Sequence, residues 1–137
     1  RQPADEDRSI LVTAFNGKVF GVDRATGQVR WKFPGPSNGE VELAVGSGVV
    51  VACAAKQLAF IEYATGRPLR VVDLVGDFPA RTIMLIDGAQ IFVARAGEIG
   101  CYSTGGDWLW AQPFKGEGMG DMSLALSGNT RQADRAN

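Results

Sequence analysis

Two turn motifs recur along this chain at nearly the same interval, and that recurrence constrains the fold more than any other feature. The first is Ala25-Thr26-Gly27, Ala64-Thr65-Gly66 and Ser103-Thr104-Gly105, with glycines 39 residues apart at each step. The second is Ser47-Gly48, Asp87-Gly88 and Ser127-Gly128, with glycines 40 apart. The stretches after the second turn also answer one another: Val49-Val50-Val51-Ala52 matches Gln90-Ile91-Phe92-Val93-Ala94, and Ile10-Leu11-Val12 stands one interval earlier. Two independent markers with one period define a repeated unit of about 40 residues.

Within one repeat the pattern is all strand. Val41 to Val45 is a short apolar segment, and Gly46-Ser47-Gly48 turns the chain. Val49 to Ala55 is apolar and rich in β-branched residues, and Lys56-Gln57 interrupts it. Leu58 to Tyr63 and Leu69 to Leu74 follow, separated by Ala64-Thr65-Gly66. Each segment has ordinary strand length, and the short glycine-bearing separators suit antiparallel hairpins. No window keeps the apolar stripe of a helix. Four short antiparallel strands per period of about 40 predict an all-β fold of β-propeller blades.

The first repeat reads Asn16-Gly17-Lys18-Val19-Phe20-Gly21-Val22-Asp23-Arg24-Ala25-Thr26-Gly27-Gln28-Val29-Arg30-Trp31-Lys32-Phe33. It closely resembles the PQQ-like (quinoprotein-type) β-propeller repeat, whose core is D-G-K-V-Y-A-L-D-x-x-T-G-x-x-x-W. The resemblance runs from about residue 8 to 128. In the second repeat Arg70 replaces the tryptophan and Glu62 stands where Asp23 does. In the third Trp110 returns, but the preceding strand reads as shortened to Gly97-Glu98-Ile99-Gly100-Cys101-Tyr102. Gly27, Gly66 and Gly105 are expected at positive φ in the tight turn. Asp23 is expected to accept hydrogen bonds from its own turn, and Trp31 and Trp110 to pack from the outermost strand against the neighbouring blade.

Counting strands from the hub outward gives three blades' worth: repeats at about 8–40, 41–80 and 81–114, and an innermost strand at 121–127. The first repeat lacks its innermost strand, because Arg1 to Asp7 are too polar to form one. Asp121 to Gly128 aligns with Val41 to Gly48 and supplies a lone innermost strand at the other end. Three blades leave a ring open, with bare edges and apolar faces, whereas propellers have 4–8 blades. Two chains make six. The expected assembly is therefore a homodimeric ring in which Met122, Leu124 and Leu126 are exchanged into the partner's first blade. The rival reading is a segment of a longer propeller.

Composition excludes several functions. The chain has no histidine, which removes Ser-His-Asp and Cys-His catalysis and imidazole-based zinc sites. A net charge of −1 gives no electrostatic basis for nucleic-acid binding. No apolar run is long enough to span a membrane, and no secretory leader is recognisable in the sequence. Cys53 and Cys101 form no metal or redox motif and read as two buried thiols. Gly116-Glu117-Gly118-Met119-Gly120 lacks the lysine and following helix of a phosphate loop and reads as a linker. Asp73, Asp77 and Asp87 read as solvated turn carboxylates. Glu40 and Glu42, with Arg81 and Asp121 at similar offsets, are the candidates for lining a central channel. The polar tail from Asn129 to Asn137 reads as a loose end or the start of further chain.

The quinoprotein dehydrogenases of the family that the chain resembles hold PQQ and calcium through several blades of a longer chain and carry an adjacent cysteine pair. That pair and recognisable ligands are missing here, so no cofactor, no metal and no enzymatic activity are expected. The resemblance implies a protein-interaction scaffold, as in outer-membrane assembly lipoproteins and sensor domains of some bacterial kinases, and a periplasmic or otherwise extracytoplasmic location in a bacterium. The alternative is a ligand-binding or catalytic propeller whose site forms between two chains.

Overall fold

A computed structural model describes residues 6–35, 40–74 and 81–132. Among them the structure is all β, in antiparallel sheets that each follow chain order. The first sheet holds β1 (Ile10–Phe15), β2 (Lys18–Asp23) and β3 (Val29–Phe33). The second holds β4 (Glu42–Gly46), β5 (Val49–Ala54), β6 (Gln57–Glu62) and β7 (Pro68–Asp73). The third holds β8 (Thr82–Asp87), β9 (Gln90–Arg95), β10 (Glu98–Ser103) and β11 (Trp108–Gln112). A two-stranded hairpin of β12 (Ser123–Leu126) and β13 (Asn129–Gln132) completes the set. The sheets are stacked blades: β4 packs on β8, β8 packs on β12 and β13, and β1 touches β4.

Side-chain alternation decides which face goes where. On β5, Val50 and Ala52 join Ala59 and Ile61 of β6 against Ile10, Val19, Trp31 and Phe33 of the first sheet. The intervening Val49, Val51 and Cys53 join Leu58 and Phe60 against Met84, Ile91, Val93 and Tyr102 of the third. Both faces of the middle sheet are thus buried, and β5 is buried along its whole length. This explains why its sequence is a continuous apolar run instead of a polar–apolar alternation.

Backbone hydrogen bonds fix the repeat correspondence residue by residue. Arg24, Tyr63 and Thr104 donate their N–H groups to the carbonyls of Ser9, Gly48 and Ala89. Strands β2, β6 and β10 each carry an irregularity at the same place, after Gly21, Phe60 and Cys101. The residues paired just before it are Trp31, Arg70 and Trp110.

Three sequence expectations need correction. Strand β10 is not shortened: like β2 and β6 it has six residues. The turn after it is what contracts. Gly27 and Gly66 bond back four residues to Asp23 and Glu62, whereas Gly106 bonds back three to Ser103. The positive-φ glycine of the third turn is therefore Gly106, at φ +98°, not Gly105. The strand near 121–127 is also not alone, because Ser123 to Leu126 pair with Gln132 to Asn129. The first four residues of the polar tail, Asn129–Gln132, are strand. Residues 133–137 and Asp77 lie outside the described residues.

Candidate functional site

Two structural features of this chain bear on function: the joint between successive blades, and the surfaces left where that joint has no neighbour. Trp31 sits on β3, the outermost strand of its sheet, and points into the next blade. Its indole Nε1 donates to the carbonyl of Tyr63 at 2.8 Å. Its ring lies on Gly66, where an added Cβ would come within 2.6 Å of the indole. Gly66 also needs the left-handed backbone, at φ +77°, so glycine is demanded twice. Tyr63 completes the joint in the other direction. Its hydroxyl accepts from Ile10 N–H at 2.8 Å and donates to the Ile10 carbonyl at 3.0 Å.

The second joint uses different chemistry at the same place. Arg70 lies over Gly106, where a Cβ would meet its side chain at 2.8 Å, and pairs with Asp107 at 2.5 Å. The replacement of tryptophan by arginine is thus compensated by an acidic residue after the next glycine turn. At the third position Trp110 is 40% exposed, against 7% for Trp31. The β12–β13 hairpin packs on β8, and Trp110 stands beyond it, touching the ring of Phe92 at a centroid distance of 6.1 Å.

The turns themselves are held by side chains. Asp23 Oδ1 accepts from Thr26 N–H and Ala25 N–H at 3.0 and 2.9 Å, and these bonds hold its carboxyl below the usual carboxylate range. The Thr65 hydroxyl, then Arg67, do the same to Glu62. Burial pushes the Cys53 and Cys101 thiols up. Both cysteines are free and buried, so each is an inert thiol rather than a nucleophile.

The channel candidates fall at the starts of the three innermost strands. Glu40 is exposed just before β4, Glu42 opens β4 half-buried opposite Cys53, Arg81 precedes β8 half-buried, and Asp121 is exposed before β12. Among the described residues no cluster of three metal-ligating side chains occurs. Of the strand-exchange candidates, Met122 accepts from Gly97 N–H through its Sδ at 3.1 Å. Leu124 is half-buried on β12, and Leu126 is 41% exposed.

Sequence reasoning missed two features. The outer strands leave large apolar side chains bare: Leu69 and Val71 on β7, and Trp108 and Leu109 on β11, with Trp108 63% exposed. A pocket of about 290 Å³ also opens between blades two and three, lined by Val72, Leu74, Arg95, Glu98, Tyr102 and Trp108. The Trp108-Leu109-Trp110 run was the available signal, because one outermost strand cannot bury three such residues on alternating faces.

No protein-family profile matches the sequence, and no curated protein matches it by sequence. Solved structures define the class: the chain has the fold of β-propellers. It superposes on BamB from Moraxella catarrhalis with a TM-score of 0.62 at 18% identity, over 76% of this chain and 33% of that one. The computationally designed Ika8 protein gives a TM-score of 0.71 at 22% identity, over 88% of this chain and 38% of that one. The quinohemoprotein alcohol dehydrogenase ADHIIG from Pseudomonas putida HK5 gives 0.61 at 18%, over 75% and 19%. The chain therefore spans well under half of each of these proteins.

Proposed function

We propose that this chain is a non-catalytic β-propeller scaffold that binds protein partners, and that it operates as a homodimeric ring of six blades. The observation that carries the binding role is the exposure of large apolar side chains on the outer strands, Trp108 and Leu109 on β11 and Leu69 and Val71 on β7. Exposed aromatic and aliphatic clusters mark interaction sites, and tryptophan is the residue most enriched at binding hot spots. The fold supports a scaffold, and the resemblance of the repeats to those of interaction propellers favours a protein-binding role. An extracytoplasmic location belongs to the same proposal and rests on the resemblance of the repeats.

A photo-crosslinking amino acid placed at Trp108, with a control at the exposed hairpin residue Lys56, tests this in the native host. A discrete adduct at position 108 and none at 56 supports the reading. Equal labelling at both positions, or none at 108, rejects it. The pocket between blades two and three favours a second reading, a small-ligand site in which Arg95 and Glu98 supply polarity beside Tyr102 and Trp108. An adduct absent at 108 together with a ligand retained through purification would select that reading instead.

A further inference from the structure

The first and third blades expose the two halves of one joint. Leu11, Val50 and Ile91 occupy the same place in the three repeats, two residues beyond Ser9, Gly48 and Ala89, whose carbonyls accept the matching turn N–H groups. On this place each blade receives the blade before it. Val50 and Ile91 are 0% exposed, whereas Leu11 is 64% exposed. Phe15, also bare at 62%, stacks on Phe20 at 5.2 Å, and this pair extends the same face. The giving side shows the converse. Trp31 is covered and Trp110 is not.

The receptor for Trp110 is equally identifiable. Trp31 binds the carbonyl of Tyr63 and rests on Gly66. The matching residues of the first blade are Arg24 and Gly27. Gly27 has the same left-handed backbone, at φ +78° against +77°, and no atom of the described residues lies within 4 Å of where its Cβ would stand. Gly66 and Gly106 are each covered by a side chain from the preceding blade. The first turn is a vacant copy of an occupied seat.

We infer that Trp110 of one chain docks over Gly27 of a second copy, its indole donating to the Arg24 carbonyl, and that β1 of that copy replaces β13 beside β12. The strand exchange follows from the same correspondence. Asn129 begins β13 after Gly128 as Val49 begins β5 after Gly48, and Ile10 begins β1 at the equivalent place after Ser9. Among the described residues the first sheet has three strands and lacks an innermost one. Ile10-Leu11-Val12-Thr13 is a far better strand for a buried blade than the polar Asn129-Thr130-Arg131-Gln132. Each chain then contributes three sheets, and two such joints close a ring of six blades, inside the 4–8 range of propellers.

This assignment rests on the two-chain ring proposed above, and mass with mutation separates the two. The 137-residue chain is expected to run as a species of twice 14.6 kDa in light scattering. Trp110→Ala and Leu11→Glu change exposed side chains, so each should keep the far-ultraviolet spectrum of the folded chain and become monomeric. Mixed in equal amounts they should recover a two-chain species, because the Leu11→Glu chain keeps a native Trp110 and the Trp110→Ala chain keeps a native Leu11. A wild-type chain that stays monomeric overturns the ring. A dimer that survives both substitutions leaves two chains but overturns this joint. Variants that dissociate yet fail to recover on mixing overturn the head-to-tail pairing.

Discussion

Removal of the Trp31 indole is the most direct test of how the blades hold together. The side chain is 7% exposed, and a buried tryptophan removes roughly 150–250 Å² from water, about 4–6 kcal/mol at 25 cal/mol/Å². Partial collapse of the neighbourhood brings the usual cost of tryptophan-to-alanine changes to about 3–5 kcal/mol. Trp31→Phe keeps most of the apolar contact but strands the Tyr63 carbonyl, which costs about 1–3 kcal/mol. For a domain of this size 1 kcal/mol is about 3–5 °C in the thermal midpoint. Trp31→Ala should therefore lower the midpoint by roughly 10–20 °C, and Trp31→Phe by a third to a half of that. Calorimetry checks both, and hydrogen exchange of the indole N–H gives a second readout: Trp31 protected, Trp108 not. If Trp31→Ala shifts the midpoint by only a degree or two, or the Trp31 indole exchanges as fast as that of Trp108, the joint is not what stabilises the stack.

Gly66→Ala should cost on the order of 3 kcal/mol in urea unfolding, from left-handed backbone strain plus overpacking against Trp31; a loss under about 1 kcal/mol would contradict the close approach. Phe60→Ala empties the center of the joint between blades two and three and should cost about 3–5 kcal/mol, measured the same way. Cys53 and Cys101 should resist iodoacetamide in the native protein and react only once denaturant is added, with mass spectrometry as the readout. Asp23 and Glu62 have carboxyls held below the usual range, so their contribution is present above the ordinary carboxylate pKa and fades as the pH drops through and below it. Asp23→Ala should flatten that acid limb of the stability curve, whereas an unchanged pH profile would show that the turn bonds are not linked to protonation.

The blade architecture was legible because it is written in turns, and turn chemistry is local: Gly27 and Gly66 announce their conformation without reference to anything distant. Trp31 was legible for the same reason, as part of a motif. The partner of Arg70 was not. Its substitution for tryptophan looks like a defect until Asp107, 37 residues on, is seen beside it. The contraction of the third turn was hidden because Gly105 and Gly106 are adjacent, and sequence spacing cannot say which of two glycines turns left-handed. Strand β13 was missed because its residues are polar and its pairing with β12 is a backbone matter. The exposure of Trp108 had its one signal in the Trp108-Leu109-Trp110 run, because it is a property of what is not packed there and the repeat period does not carry it.

The middle sheet, covered on both faces, has a consequence for how the molecule comes apart. In a stack where each unit touches only its neighbours, stability is a sum of unit and interface contributions. The second sheet owns two interfaces and the first only one, so opening should begin at the ends and move inward. In a single open chain, slow-exchanging amides should concentrate in β5 and β6, with β1 to β3 opening at lower free energy. Joining the open ends would abolish that gradient. A ring has no terminal unit, and the exchange profile would become level from blade to blade.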